Sequence, residues 1–266
     1  MAFPISQAVP AALMCLVWAA PLAAQPGPAQ SGQADAGIDT SVSPDCSAPA
    51  SRLYRPGALP NVALALEQRR PIRALALGPF PSGGFGYGSG SSRYTARLQT
   101  ELHGVLGGVP IEVEGRRLPG ETTAGAPEAI MNAVMEVRPA LVIWSAGAHD
   151  ALARVEIEPF LAEVGLILGW MRSHDIDAVL VEPPYTAAIA DDEHYSALVQ
   201  GLRAVAQRQN IPMVLRYDAM RYLSDQQAAS AGMQFHLHDL GRRCTPEYVA
   251  KAVQASLGAR PGRTGN

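Results

Sequence analysis

Ser82 lies in a stretch of sequence whose composition suits a reactive side chain. The segment ALALGPFPSGGFGYGS, residues 74–89, ends an apolar run at Gly78 and then places Ser82 among glycines and prolines. Loops that follow buried strands are where α/β proteins keep their chemistry. A serine hydroxyl becomes a nucleophile when a base lies close to it. Ser82 is therefore a candidate catalytic nucleophile.

A second candidate is a backbone group, the N–H of Gly120 in the stretch GRRLPGETTAGA. The glutamate and two threonines that follow it are typical of the first turn of a helix, where backbone N–H groups are unpaired and positively polarised. Gly120 could therefore bind an oxyanion. The alternative is an ordinary tight turn with a threonine cap.

Histidines supply the candidate bases and hydrogen-bond donors. His149 lies at the tip of WSAGAHDAL, where an imidazole could donate a hydrogen bond or accept a proton; the alternative is a solvated loop histidine. His236 and His238 lie two residues apart in MQFHLHDLGRRC and would point to opposite sides of an extended chain, so they form a poor metal site. Asp239 resembles the N-cap of the final helix. We expect no metal and no cofactor.

These candidates follow apolar runs that are typical of strands buried on both faces. The five runs are 72–77, 111–114, 140–145, 177–182 and 212–216. Segments with helical apolar spacing lie at 92–106, 158–174, 194–209 and 245–257. The alternation predicts an α/β fold, a three-layer α/β/α sandwich with a parallel sheet of about five strands. Such sheets place their sites at the carboxyl ends of the strands, which is where the candidate loops lie.

The two ends of the chain differ in composition from the segment between them. Residues 1–24 contain an apolar stretch followed by small residues, the pattern of a secretory signal peptide with cleavage near Ala24; an uncleaved N-terminal anchor is the alternative. Residues 25–50 are rich in Pro, Gly, Ser and Ala, which predicts a disordered linker. Residues 51–258 form the predicted domain, and 259–266 a disordered tail. We therefore expect a periplasmic or secreted protein.

Net charge and cysteine content bear on the partners and on covalent cross-links. The formal net charge is −3 over 266 residues and no basic run is present, so no nucleic-acid partner is expected. Cys46 and Cys244 remain after signal cleavage as a pair in an oxidising compartment, which favours a disulfide between them. Two free buried thiols are the alternative. The sequence carries no signal for an oligomeric state.

The chain resembles the SGNH (GDSL) hydrolase superfamily, in particular its exported bacterial members, from about residue 70 to 257. The resemblance rests on three blocks in the family's order: LPGETTAGA for the turn with the oxyanion glycine, VIWSAGAHDAL for the G-x-N-D block and FHLHDLGRRC for the block with the catalytic histidine. RPALVIW and VLVEPPY are also typical of that group. The resemblance implies an SGNH hydrolase-like, flavodoxin-like fold and acyl-ester hydrolysis, and it supports the pairing of Cys46 with Cys244.

Carried over residue by residue, the resemblance assigns Gly120 to the oxyanion hole and His236 to the catalytic base. Two positions depart from the family pattern. His149 stands where the family has the asparagine of the oxyanion hole, a role that an imidazole N–H fills in part. Met233 stands where the family has the aspartate that orients the base, so the third member of the catalytic set is missing.

The position of the nucleophile depends on the alignment. Without gaps from Gly78 onward, Phe80 occupies the serine position, and this simpler register removes the nucleophile. Aligned on SGGFGYGS, which is similar to the family's S-I-T-F-G-Y-G, Ser82 occupies it.

Two functions therefore remain open. The first is an exported esterase that acts on O-acyl groups of a glycan or small lipid through Ser82, His236, the Gly120 amide and His149. The second is a catalytically inactive pseudo-hydrolase that binds such a partner, for example as an accessory protein in envelope polysaccharide acylation.

Overall fold

Six strands form the central sheet of the computed structural model, which describes residues 37–79, 89–118, 127–229 and 237–258. The strands are β1 (Tyr54–Arg55), β2 (Ile72–Leu77), β3 (Ile111–Arg116), β4 (Leu141–Ser145), β5 (Asp177–Val181) and β6 (Met213–Val214). Their order across the sheet is β1-β6-β5-β4-β2-β3. Strand β1 pairs antiparallel with β6, and every other pairing is parallel. The predicted α/β fold with a parallel sheet of about five strands is thus confirmed, and β1 adds a sixth, antiparallel strand at one edge.

The parallel strands are apolar because both of their faces are covered. All five residues of β5 are buried, and Arg73 is the one exposed residue of β2. Successive side chains of a strand point to opposite faces, so Ala74 and Ala76 lie in one apolar cluster whereas Leu75 and Leu77 lie in the other. The sheet is therefore the middle layer of three.

Helices cover both faces of the sheet. The α-helices of the described residues are α1 (Pro60–Glu67), α2 (Ser89–Val105), α3 (Pro127–Val137), α4 (Ala148–Leu152), α5 (Ile157–Ser173), α6 (Glu193–Arg208), α7 (Arg216–Ala229) and α8 (Leu237–Gly258). Leu98 of α2 and Val253 of α8 belong to one apolar cluster; Val134 of α3, Val164 of α5 and Leu202 of α6 belong to the other. This is the predicted three-layer sandwich. No helix in the described ranges has the length and apolar content needed to cross a membrane.

Several elements differ from the sequence pattern. Strand β1 and helix α4, of two and five residues, are too short to show a period, and the pattern did not predict α1 or α7 either. The last predicted strand, 212–216, ends at Val214, and Arg216 begins α7 instead. The final helix begins at Leu237, so Asp239 lies inside its first turn and is not its N-cap. Element ends are where short-range patterns carry least information.

Residues that precede the predicted domain start at residue 51 also pack into the fold. Val42, Cys46 and Ala48 are buried in the same apolar cluster as α2 and α8. Two short 3-10 helices, Pro44–Cys46 and Ala50–Arg52, lead from this segment to β1. Part of the segment that composition assigned to a linker is therefore buried in the apolar core. A few apolar side chains are sufficient to pack a segment that is otherwise rich in small residues against the domain.

Candidate functional site

The candidate site lies where the order of the sheet reverses, between the carboxyl ends of β2 and β4. The chain passes from β2 to β3 on one side and returns to β4 on the other, and such a reversal opens a crevice in parallel sheets. Gly78 follows β2 with a φ of 111°, and a Cβ on it would overlap the carbonyl oxygen of Ser145. Because only glycine satisfies both conditions, Gly78 allows the two strand ends to lie directly against each other.

A cavity of about 250 Å³ opens at this edge of the sheet. It extends from Pro79, which follows β2, past the end of β4 to residues that follow β5 and β6. Leu152, Ile189, Pro183 and Pro184 contribute apolar wall. The polar and ionisable side chains on the wall are Ser145, His149, Glu182, Thr186, Tyr195 and Arg216. Four strand ends therefore contribute to one apolar cavity with a few convergent polar groups, the usual form of a small-molecule site.

His149 is the candidate residue that the structure brings to this cavity. It lies on α4, and its half-buried side chain lines the wall. Gly147 precedes α4 with a φ of 87°, and a Cβ there would lie 2.7 Å from Leu198 Cδ2 of α6. Glycine thus lets α4 begin directly against α6, which fixes the backbone of the next two residues at the cavity. An imidazole at this place can donate one ring N–H toward a bound carbonyl oxygen.

Glu182 belongs to a group of charged residues that sequence reasoning did not identify. It follows β5 with its side chain fully buried, and it accepts hydrogen bonds from Nε and Nη2 of Arg203 and from the backbone N–H of Tyr217. Arg203 also forms an ion pair with Asp218, with 2.9 Å between Nη2 and Oδ1. Burial raises the pKa of the Glu182 carboxyl to about 7, while Arg203 opposes the rise. These contacts join β5, α6 and α7 beneath the cavity.

Arg216 is the second charged residue of the wall that the sequence pattern did not single out. As the first residue of α7, it places a buried guanidinium, 9% exposed, at the cavity. Its Nε is buried and has no hydrogen-bond partner among the described residues. Burial lowers the pKa of this guanidinium, although the nearby Tyr94 and Tyr195 act in the opposite direction. A charged residue just after an apolar strand could have indicated this position in the sequence. The predicted strand 212–216 included Arg216, so the residue was counted as part of the strand.

The other predicted site residues divide into two groups. Cys46 and Cys244 are joined by a disulfide with 2.06 Å between the sulfurs, as the resemblance implied. The positions that lie outside the described residues are Phe80, Ser82, Gly120, Met233 and His236. Within the described ranges, no cluster of three or more His, Cys, Asp or Glu side chains could hold a metal ion.

Solved structures of ester hydrolases share this architecture. A lipase/acylhydrolase from Enterococcus faecalis superposes with a TM-score of 0.56 at 19% identity, covering 73% of this chain and 100% of that one. The acetyl xylan esterase AlAXEase gives 0.55 at 16%, covering 68% and 100%. A two-domain esterase active on acetylated mannans gives 0.58 at 13%, covering 80% of this chain and 58% of its own. At these identities the likeness shows a shared fold.

The family comparison covers nearly all of the described domain. The sequence matches the family model of the Non-GDSL lipase-like family over residues 45–258. None of the curated proteins compared matches it. The resemblance to SGNH/GDSL hydrolases is confirmed by this match together with the solved structures. The chain therefore belongs to the Non-GDSL lipase-like family and has the esterase-like fold of the SGNH/GDSL hydrolase superfamily.

Proposed function

We propose that this protein is an ester hydrolase that removes acyl groups from O-acylated glycans or small lipids outside the cytoplasm. The observation that carries the proposal is the cavity at the carboxyl ends of β2, β4, β5 and β6. Pro79 on its wall is three residues before Ser82 in the sequence, and His149 lines the same wall. A nucleophile that follows β2 would therefore be close to a hydrogen-bond donor on α4.

In the proposed reaction, Ser82 Oγ attacks the carbonyl carbon of the ester while its proton passes to His236. The Gly120 N–H and the His149 imidazole stabilise the negative charge that develops on the carbonyl oxygen. The bond to the alcohol then breaks, and His236 returns the proton to the leaving oxygen. Water attacks the acyl-enzyme by the same route and releases the acid. Replacing the aspartate that orients the base lowers kcat by about 10⁴ in a serine protease, so Met233 predicts slow turnover.

The substrate class draws support from the esterases that share the fold. Among the similar structures are an acetyl xylan esterase and an esterase active on acetylated mannans. The cavity of about 250 Å³ would admit a short acyl group and the sugar ring or alcohol carbon next to it. O-acetyl glycans are therefore the first natural substrates to test.

The proposed location outside the cytoplasm draws support from the disulfide between Cys46 and Cys244, which forms in oxidising compartments. It also needs the signal peptide proposed for residues 1–24. N-terminal sequencing of the mature protein from a secreting host should begin at Gln25. A mature protein that begins at Met1 would contradict both the signal peptide and its cleavage near Ala24.

The nucleophile is tested with p-nitrophenyl acetate and a fluorophosphonate probe. We expect the purified protein to hydrolyse the ester, and Ser82→Ala to abolish both hydrolysis and labelling, since loss of a catalytic serine lowers kcat by about 10⁶ in subtilisin. Ser173→Ala is the matched control, because Ser173 is exposed at the far end of α5 and bonds only locally, to the carbonyl oxygen of Trp170 and to His174, among the described residues.

The same assay decides the second candidate function, a non-catalytic binding protein. That function is favoured by Phe80 in the ungapped register and by Met233 at the position of the orienting aspartate. Wild-type protein that neither turns over the ester nor reacts with the probe would establish it. Turnover that survives Ser82→Ala and is lost in His236→Ala would replace the serine nucleophile with an activated water.

A further inference from the structure

Arg216 is a buried cation without a counter-charge in the part of the chain that the structure describes. Its side chain is 9% exposed, its Nε has no hydrogen-bond partner, and its guanidinium forms no ion pair with any residue of the described ranges. An arginine remains charged in proteins. Burying an unpaired charge is strongly destabilising, and proteins tolerate it where another group supplies the missing interaction.

The described neighbours of Arg216 do not supply that interaction. Glu182, the buried carboxylate on the same wall, is occupied by Arg203 and by the N–H of Tyr217. Burial raises the pKa of Tyr94 to about 12 and raises the pKa of Tyr195 as well, so both phenols are neutral at physiological pH. The Tyr195 hydroxyl already donates to the carbonyl oxygen of Pro184, at 2.7 Å.

The cavity gives the guanidinium access to a ligand. Arg216 lines the same wall as His149 and Ser145, at the edge of the sheet where the ester would bind. Leu152, Ile189 and adjacent prolines make the rest of the wall largely apolar. A charge-assisted hydrogen bond is strengthened in such surroundings because little water competes for it. A planar fork of N–H donors also matches the oxygen pairs of carboxylates and phosphates.

We propose that Arg216 forms an anion subsite in this cavity, and that the substrates are acyl esters which carry a carboxylate or phosphate group close to the ester. The ester in this inference rests on the proposed function, whereas the anion subsite rests on the cavity and on a guanidinium that has no counter-charge in the described part of the chain. Neutral acyl esters would occupy the same cavity and leave Arg216 without a partner, so they would bind more weakly.

The test is calorimetric binding of two uncleavable probes of nearly equal shape. Succinamate carries one carboxylate and one amide, whereas succinamide carries two amides and no charge. We expect wild-type protein to bind succinamate about 10-fold more tightly, the equivalent of about 1.4 kcal/mol, and Arg216→Gln to remove that preference. Arg221→Gln, which removes an exposed guanidinium from the same helix, should keep it. Inorganic phosphate is the third probe.

Each outcome decides the proposal. A preference for succinamate that depends on Arg216 supports it and assigns the subsite to carboxylates; binding of phosphate alone that depends on Arg216 supports it and assigns the subsite to phosphoryl groups. Equal binding of all probes, no binding, or a preference that survives Arg216→Gln overturns it. Should Arg216→Gln fail to fold, Arg216→Lys keeps the charge without the fork and should bind succinamate more weakly than the wild type; unchanged binding would overturn the proposal.

The unfolding temperature distinguishes an anion subsite from a purely structural role of Arg216. Without ligand, Arg216→Gln should unfold at the same temperature as the wild type or higher, because an unpaired buried charge has been removed. A lower unfolding temperature together with unchanged succinamate binding by Arg216→Lys would mean that the guanidinium has a structural role only, which overturns the proposal. Hydrolysis of p-nitrophenyl acetate without a preference for anionic probes would overturn the anion subsite and leave the proposed hydrolase function intact. Binding of anionic probes without hydrolysis would contradict the hydrolase function and leave the subsite intact.

Discussion

Gly78 shows how one residue sets the geometry of the candidate site. Its φ of 111° is a conformation that side chains other than glycine rarely adopt, and the space for a Cβ is already occupied by the carbonyl oxygen of Ser145. Both constraints arise because β2 and β4 are hydrogen-bonded neighbours whose carboxyl ends meet at the cavity.

Gly78→Ala should therefore destabilise the fold by about 2–4 kcal/mol, through backbone strain and the contact with Ser145. Chemical denaturation measures the change. Gly169→Ala is the matched control, since Gly169 lies exposed in α5 with an ordinary φ, and a Cβ on it would meet no heavy atom within 4 Å. That variant should gain about 0.5–1 kcal/mol from the higher helix propensity of alanine. Equal effects of the two substitutions would contradict the role assigned to Gly78.

At the scale of elements, the contacts of Arg203 connect three pieces of the fold. From α6 it reaches Glu182 at the end of β5 and Asp218 in the first turn of α7. The backbone N–H of Tyr217 bonds to the same glutamate, at 3.1 Å. The start of α7, and with it Arg216, is thereby held at the carboxyl edge of the sheet. Buried charges of this kind need every partner, because removal of one leaves an uncompensated charge.

The raised pKa of Glu182 predicts a pH dependence of stability. Its ordinary value is 4.5 and burial raises it to about 7. Between these values the folded protein retains a proton that the unfolded chain has released, so the contribution is complete below about pH 4.5 and is lost as the pH rises through 7. We expect this group to reduce the free energy of unfolding by about 3 kcal/mol across that interval.

The measurement is denaturant unfolding between about pH 4.5 and 7.5 for the wild type and Glu182→Gln, whose amide does not titrate. The difference between the two curves isolates Glu182 from carboxyls such as Asp177, whose pKa burial also raises. The wild type should lose stability relative to Glu182→Gln as the pH rises. A difference that is independent of pH would show that Arg203 keeps the pKa of Glu182 near its ordinary value, and the opposite slope would show that Arg203 lowers that pKa.

At the scale of the whole molecule, a disulfide and several hydrogen bonds link the two ends of the described domain. The disulfide between Cys46 and Cys244 spans 198 residues of sequence. Beside it, the buried Glu247 of α8 accepts hydrogen bonds from the N–H and hydroxyl of Ser43, at 2.7 and 2.8 Å, and pairs with Arg97 of α2 at 2.7 Å. One covalent and several polar contacts thus hold the N-terminal segment against α2 and α8.

Loss of this disulfide should lower the free energy of unfolding by roughly 2–5 kcal/mol, since the cross-link restricts the unfolded chain. Thermal unfolding of Cys46→Ala, Cys244→Ala and the double variant tests it. Because each single change breaks the same bond, we expect three similar losses. A double variant whose loss equals the sum of the two singles would show that packing of the side chains, and not the bond, provides the stability.

Local sequence patterns were sufficient to predict the fold class, the five parallel strands and helices α2, α5 and α6, because apolar runs and helical spacing are strong in this chain. The sequence blocks also indicated the hydrolase superfamily and the pairing of Cys46 with Cys244. Such features can be recognised from consecutive residues or from family motifs. Strand β1 and helix α4 were not visible in this way, since two and five residues cannot establish a period.

Which residues form the cavity depends instead on tertiary contacts. Glu182 and Arg216 follow β5 and β6 and are 34 positions apart in the chain, yet the parallel sheet brings both to the wall that also holds His149. Among the described residues, Glu182 is paired and the buried Nε of Arg216 is not, and this difference arises from contacts between elements that no local pattern encodes. The sequence therefore indicated an ester hydrolase fold, and the packing of the sheet edge placed at the cavity a buried guanidinium whose Nε has no partner among the described residues.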